Sequence, residues 1–501
     1  MREVRPNLLA LAGLIPALLA TACGDAALPM SRAAAGEAEV TGQGILVIAI
    51  DGLRWDHTSL AGYDRDTTPE LRRLAEESVV FENAWSVTPS LVGSHVAILS
   101  GADPGFALPP DVSVETPPSF DVGSARNDRW FLPEGLQLLG RPFLGHGWTT
   151  AAFVDDPMIA ELRGFDRGFR EFVEHRGDPD DETREEGVLG VGRRFIEWAN
   201  ARDLDEDWFA YLHMHDLERS WKQHRVDNGL MDRPGKGQPA DWKGRKEMGF
   251  VPPLGLVDES FHTLPPSRAN RARPVTLAEY ELRYDDKIRD VDHLVGRIIL
   301  SVEDYGRKDN LTVVILGSFG TSLGEHGLYL QAGLAEAEDL HVPLLIRPSK
   351  ELREALGWQG EAPPRGRVQE LVGLMDLAPT LVDLIGASWS GPCLGASMRP
   401  LLAGRAGPIR ERLPARSTMV PGLTIIEQDT RAVHYDPSRA VAPARRSWTG
   451  APEFEDRSGE VQLRWHNWEL LVEQERRALH FGIDVDEGQR VQELRAMQGV
   501  D

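Results

Sequence analysis

Apolar runs alternate with helical patterns over most of the chain. Residues 45–50 are uniformly apolar and end in Asp51 and Gly52, which predicts a strand buried on both faces, as in a parallel sheet. Five more strands are predicted, at residues 79–81, 149–154, 208–213, 312–316 and 342–346. Helices are predicted at residues 69–77, with Thr68 as the N-cap, and at 94–99, 191–201, 277–302 and 377–385. This alternation predicts an α/β fold in which a mostly parallel sheet is flanked by helices.

The pattern changes after residue 405. Short, separated apolar runs at residues 423–426, 432–434 and 468–472 precede a helical segment near 488–497. They predict a small antiparallel C-terminal subdomain closed by a helix. A chain of 501 residues is long enough for one large domain and a smaller one. We therefore predict a signal peptide (1–22), a tether (23–43), an α/β domain (44–405) and the antiparallel subdomain (406–501).

The N-terminus has the pattern of an export signal. Arg2 and Arg5 precede an apolar stretch at residues 8–22 that is too short to span a bilayer. Small residues then lead into Cys23, as at a bacterial lipoprotein cleavage site. The pattern predicts a lipid anchor on Cys23 and a location in the bacterial cell envelope. An ordinary signal peptide followed by an incidental cysteine is the alternative.

Acidic residues outnumber basic ones and give a net charge of -23. Such a charge disfavours nucleic acid as a partner. Residues 219–274 are rich in Gly, Pro, Lys and Arg, and a loop of this length in a compact domain is typical of a lid or a partner surface.

Six groups of short motifs occur in a fixed order along the chain. They are IDGLRWDH (50–57) with GYDRDTTP (62–69), GSH (93–95) with LSG (99–101), GFDRGF (164–169), GEHGLY (324–329) with HVPL (341–344), MDLAPTL (375–381) and MRPLLAG (398–404). Together they resemble the sulfatase family of the alkaline-phosphatase-like superfamily. The resemblance implies the alkaline-phosphatase-like fold, with a mainly parallel sheet.

The resemblance also implies a three-part catalytic site. A divalent cation, usually calcium, is held by acidic and amide or imidazole ligands at the carboxyl ends of the strands. A formylglycine, serine or threonine attacks sulfur or phosphorus, and the cation and a helix N-terminus lower its pKa. Basic side chains bind the oxygens of the sulfate or phosphate.

The metal positions of the family are mostly replaced in this sequence. Asp51 matches the first metal carboxylate, but Gly52 stands where many members carry a second one. Ser318 takes the place of a further carboxylate, and Phe319 takes that of the imidazole or amide ligand. Asp51 is thus the remnant of the implied metal site, and a calcium cage would lack most of its oxygen ligands.

The nucleophile position is also replaced. Alignment on the LSG motif places Ser94 and His95 at the end of the nucleophile motif and Leu91 at the nucleophile itself. Leucine has no nucleophilic atom. If the site is nevertheless active, Ser90, Ser94 and His95 are the candidate catalytic residues.

The anion contacts of the family are partly retained. His95 and His326 match residues near the bound anion. Gln331 and Glu218 stand where the family carries basic side chains, and a glutamate at that place would repel a sulfate.

These replacements predict a sulfatase-like envelope lipoprotein that is catalytically impaired or inactive. We expect it to bind a partner protein or an anionic ligand and to need no cofactor. The alternative is an active hydrolase of sulfate or phosphate esters that uses calcium or magnesium, with a site rebuilt around Asp51, Ser90, Ser94, His95 and His326. The inactive protein predicts a hydrogen bond between Asp51 and Ser318, whereas the active one predicts several polar groups around Asp51.

A zinc site is a further alternative. His213 ends a predicted strand and His215 follows it, so the two could bind zinc together with His95 or His341. Because His215 lies beyond the strand, the pleat does not fix the direction of its side chain. We expect one of the pair to be packed and the other to face solvent.

Overall fold

A central sheet of eight strands organises the protein. The computed structural model describes residues 41–104, 132–174, 187–218, 255–256, 263–264, 275–323, 328–331, 333, 335–391, 393–416, 422–427 and 431–435. Its strands are β1 (Gly44–Asp51), β2 (Val79–Phe81), β3 (Ala84–Trp85), β4 (Thr149–Val154), β5 (Glu171–Glu174), β6 (Trp208–Met214), β7 (Gly255–Leu256), β8 (Thr263–Leu264), β9 (Val275–Thr276), β10 (Leu311–Phe319), β11 (Ser322–Leu323), β12 (Leu328–Gln331), β13 (Leu344–Arg347), β14 (Arg367–Val368), β15 (Val372–Gly373), β16 (Arg412–Arg416), β17 (Gly422–Glu427) and β18 (Arg431–Tyr435).

The strand order of the central sheet is β14-β2-β13-β10-β1-β6-β4-β5. Strand β1 lies between β10 and β6, and it is parallel to both. Only β13 runs against its two neighbours, β10 and β2, among the described strands of this sheet. The predicted mostly parallel α/β sheet is therefore confirmed.

Helices flank this sheet. They are α1 (Pro69–Ala75), α2 (Leu91–Ser100), α3 (Gly140–Gly145), α4 (Gly187–Asn200), α5 (Leu277–Val302), α6 (Ala337–Leu340), α7 (Lys350–Ala355), α8 (Leu377–Leu384) and α9 (Arg399–Leu402). No helix in the described part of the chain is both long and apolar enough to cross a membrane.

Apolar side chains of β1 fill the core on both sides of the sheet. Ile45, Val47 and Ala49 belong to a core layer that also contains residues of α2 and α8. Leu46, Ile48 and Ile50 belong to the opposite layer, with residues of α4 and α5. Since alternate residues of a strand point to opposite faces, the unbroken apolar run of β1 follows from this double burial.

The C-terminal residues that the structure describes form a separate antiparallel sheet, β16-β17-β18. The predicted strands at 423–426 and 432–434 correspond to β17 and β18. The sequence pattern missed β16, where charged residues and Pro414 interrupt the apolar positions, and it missed β5, whose residues are exposed or half-buried at the sheet edge. The predicted strand at 468–472, the helix near 488–497, the signal peptide and Cys23 lie outside the described residues.

A tertiary contact caps α1. Thr68 occupies the predicted N-cap position, but its side chain makes no capping hydrogen bond. Instead, the carboxylate of Asp292 on α5 accepts hydrogen bonds from the backbone amides of Glu70 and Leu71, at 2.8 and 3.0 Å. Unpaired amides of a first helical turn need such partners, and Asp292 thereby fastens α1 to α5.

The buried Asp292 predicts a dependence of stability on pH. Burial raises the pKa of its carboxyl to about 7, whereas an aspartate in an unfolded chain has a pKa of about 4. The folded state then binds the proton more tightly, so the contribution of Asp292 to stability falls as the pH rises from about 4 to about 7. Denaturant unfolding across this range should show the wild type losing stability relative to Asp292→Asn. A pH-independent difference between the two proteins would contradict this assignment.

Candidate functional site around Asp51

Asp51 occupies the centre of the carboxyl edge of the sheet. It is the last residue of β1 and is fully buried. Ligand sites of open α/β sheets commonly lie just beyond this edge. An isolated carboxylate buried here would be strongly destabilising, so its partners decide what the site can do.

Three imidazoles surround the Asp51 carboxylate. His95 of α2 lies with Nε2 3.0 Å from Oδ1. His213 near the end of β6 places Nε2 2.7 Å from Oδ2, and His215, just after β6, places Nδ1 2.7 Å from the same oxygen. Because β1 and β6 are adjacent and parallel, their carboxyl ends bring these side chains together.

Ser318 reaches Asp51 through an irregularity in β10. Ile50 pairs with Gly317 and Asp51 pairs with Phe319, so Ser318 is an extra residue between two paired ones. Such a bulge re-aims a side chain at a sheet edge. The Ser318 hydroxyl donates to Asp51 Oδ1, which is the predicted hydrogen bond between these residues.

The charges around Asp51 keep it ionised. Burial raises its pKa, but the nearby His213 and His95 and the hydrogen bonds from His213 and His215 outweigh this effect and hold the pKa well below its usual value. His95 behaves in the opposite way, because burial and the neighbouring His213 lower its pKa. Its Nδ1 lies 2.5 Å from the Tyr211 hydroxyl, which fixes the ring from its far side.

Two further groups near Asp51 have raised pKa values. Burial lowers the pKa of His215, but its hydrogen bond to Asp51 and the charges of Asp156, Asp51 and Glu218 raise it to about 9. Burial is the main cause that raises the pKa of Glu218 to about 7. His215 Nε2 lies 3.8 Å from Asp156 Oδ2. Carboxyl groups therefore predominate around the imidazoles.

Gly52 leaves room for the Glu218 side chain. Gly52 has a φ of 75°, in the left-handed region that favours glycine. A Cβ atom at this position would lie 2.5 Å from Oε1 of Glu218. The Glu218 carboxyl therefore fills the space into which a side chain at position 52 would project.

The helix N-terminus of the implied catalytic site is present, but Leu91 is its first residue. Leu91 packs against the core layer that includes Ile45 and Val47. Ser90 caps the helix, because its hydroxyl accepts from the Gly93 amide at 3.2 Å. The Ser94 hydroxyl donates to the Leu91 carbonyl oxygen at 3.1 Å. Both candidate serines are thus hydrogen-bonded to backbone groups of the first turn of α2.

The remaining predicted site residues contribute little to this cluster. Phe319 is 3% exposed and pairs with Asp51 across the strands. His341 lies apart, stacked on Trp85 with Nε2 2.8 Å from the Glu82 carbonyl oxygen. His326 and the side chain of Gln331 lie outside the described residues.

The contacts of both His213 and His215 with Asp51 were not predicted from the sequence. The expectation that one of His213 and His215 would face solvent is wrong, since both contact Asp51 and the His215 side chain is only 15% exposed. The signal that could have found them is their place at the end of a predicted parallel strand, because the carboxyl ends of parallel strands meet at one edge.

The donor set around Asp51 does not fit calcium. Calcium takes six to eight oxygen ligands. The described neighbours of the Asp51 carboxylate are two nitrogens on Oδ2, and one nitrogen and one hydroxyl on Oδ1. Asp51, His213 and His215 nevertheless place one potential ligand atom each within 4.8 Å of one another. Such a mixed set suits an ion that accepts imidazole.

Asp51→Asn should destabilise the fold strongly. The amide removes the charge and turns a donor toward the imidazoles, which leaves a buried hydrogen-bond network half satisfied. Breaking a buried charged pair costs about 3 kcal/mol of unfolding free energy, measurable by denaturant titration. Asp383→Asn is the matched control, because Asp383 pairs with Arg399 at an exposed site and its loss should cost less than about 1 kcal/mol. Equal effects of the two substitutions would contradict the central role of Asp51.

Comparison with known proteins extends the motif resemblance. The family model described as Sulfatase matches residues 43–387. An N-acetylglucosamine-6-O-sulfatase of Bacteroides thetaiotaomicron is 23% identical over 413 residues, covering 69% of this chain and 69% of the relative. An arylsulfatase of Clostridium perfringens is 22% identical over 415 residues, covering 72% and 78%.

Solved structures show the same fold. The phosphonate monoester hydrolase of Agrobacterium radiobacter superposes with a TM-score of 0.57 at 16% identity and covers 78% of this chain and 87% of its own. A 2-O GAG sulfatase superposes with a TM-score of 0.54 at 19% identity and covers 80% and 84%. The protein therefore belongs to the sulfatase family and has its alkaline-phosphatase-like α/β fold.

Proposed function

We propose that this sulfatase-family protein has lost the family's ester hydrolysis and acts by binding a partner at the cell envelope. The observation that carries the proposal is Leu91 at the first position of α2, the residue that the motif alignment matches to the family's nucleophile. The helix N-terminus that would activate a nucleophile is retained, but the residue there has no atom that can attack sulfur or phosphorus.

The neighbouring hydroxyls do not replace the nucleophile. Ser90 and Ser94 are engaged in the first turn of α2. Ser318 contacts Asp51 but is fully buried, so an ester cannot reach it. The low pKa of Asp51 also makes that carboxylate a poor base for activating a hydroxyl.

Electrostatics favour a partner protein over a free anion. A sulfate or phosphate at this site would meet the carboxyl groups of Asp51, Asp156 and Glu218, which already interact with His215. Like charges of this kind repel an anion unless a cation lies between them. The predicted loop at residues 219–274 would then be the surface that meets a partner.

A second candidate function is supported by the convergence at Asp51. A carboxylate and three imidazoles at the carboxyl edge of the sheet are what a rebuilt metal-dependent hydrolase would need. In that case the nucleophile would be a group that does not belong to α2. This candidate and the leading proposal differ in one measurable property, turnover of an ester.

The hydrolysis assay separates the two candidates. Purified full-length protein is incubated with an aryl sulfate, an aryl phosphate monoester and an aryl phosphonate monoester, each with added calcium, magnesium, manganese or zinc. We expect no turnover above that of the Asp51→Asn variant. Turnover that disappears in Asp51→Asn but persists in Asp383→Asn would establish the hydrolase and refute the leading proposal.

The envelope location rests on Cys23 and is tested separately. If Cys23 carries a lipid, the wild-type protein expressed in a bacterium should sediment with the membrane fraction. Cys23→Ser should be released or retained as an unprocessed precursor. An unchanged distribution and mass for Cys23→Ser would contradict the lipid anchor.

A further inference from the structure

Two imidazole nitrogens face a single oxygen of Asp51. His213 Nε2 and His215 Nδ1 each lie 2.7 Å from Oδ2. The three residues each offer one ligand atom, and these atoms lie within 4.8 Å of one another.

The spacing is close to that of a metal site. A tetrahedral zinc ion with nitrogen and oxygen ligands at about 2.0 to 2.2 Å separates those ligands by about 3.4 Å. The two nitrogen–oxygen distances of 2.7 Å would therefore widen by about 0.7 Å each.

Glu218 supplies another carboxyl group from a different direction. Its Oε1 lies 2.5 Å from the place where a Cβ atom of residue 52 would be, directly beside Asp51. This oxygen is buried, and Thr321 and the charge of His215 act on the same carboxyl group. Glu218 therefore adds a carboxyl group to the surroundings of the Asp51 cluster, at the position that a side chain on residue 52 would fill.

The far nitrogens of the imidazoles are oriented by the protein. His215 Nε2 faces Asp156 Oδ2 at 3.8 Å, which resembles the carboxylate–histidine arrangement behind many metal ligands. His213 Nδ1 accepts a long hydrogen bond from the Asp155 amide at 3.4 Å.

We propose that Asp51, His213 and His215 form a binding site for a divalent transition-metal ion of the zinc type, with the Glu218 carboxyl nearby to balance the charge of the ion. Two imidazoles and one carboxylate suit such an ion, whereas calcium requires mainly oxygen ligands. His95 and Ser318 hold the other oxygen of Asp51 and act as positioning residues. Metal binding at this site does not require the protein to hydrolyse esters. Metal binding without turnover would therefore agree with both this inference and the proposed function.

Metal content of the full-length protein tests the site. The protein is stripped with a chelator, dialysed against zinc or calcium alone, and analysed by plasma mass spectrometry and calorimetric titration. We expect one bound zinc per chain and no comparable calcium. His215→Gln, at the partly exposed ligand, should weaken zinc binding at least about tenfold. His146→Gln is the matched control because His146 is exposed on the far side of α3, and it should bind zinc as the wild type does.

Two results would overturn the inference. One is folded wild-type protein that takes up no zinc, and the other is zinc binding that is equal in wild type, His215→Gln and Glu218→Gln. If circular dichroism shows that His215→Gln does not fold, the test uses zinc binding by Glu218→Gln and the visible spectrum of the cobalt-loaded wild type instead. A cobalt spectrum of six oxygen ligands, without the intense bands of a low-coordinate site, would also contradict the proposal.

Discussion

The hydrogen bonding of one buried carboxylate is the constraint on which the site depends. Asp51 ends the central strand with no exposure to solvent, and its two oxygens are met by His95, His213, His215 and Ser318. A buried charge persists only when its partners satisfy it. The parallel sheet provides them, because β1, β6 and β10 all end at this edge.

The same edge holds the groups on which the proposed loss of ester hydrolysis rests. The N-terminus of α2 is kept with Leu91 at its first position, and the bulge at Ser318 turns a hydroxyl toward Asp51. Imidazoles lie around Asp51, where a calcium site would need mainly oxygen ligands. A shared fold leaves the chemistry of the site open, so the proposals rest on these side chains.

The sequence predicted those features that depend on local patterns of residues. The apolar run of β1 predicted a doubly buried strand, and the motifs predicted the hydrogen bond between Asp51 and Ser318. The convergence of the histidines was not predictable in the same way. His215 lies beyond the regular pleat, so its direction depends on packing around Asp51. Edge strand β5 and the cap on α1 from Asp292 likewise depend on tertiary contacts.

The central claim is that the groups around Asp51 Oδ2 enclose a metal-binding point. Anomalous diffraction at the zinc absorption edge, from crystals grown with zinc, measures this most directly. The account predicts one strong peak about 2.0 to 2.2 Å from Asp51 Oδ2, His213 Nε2 and His215 Nδ1. A map without a peak at this position, while the three side chains keep their hydrogen bonds, would contradict it.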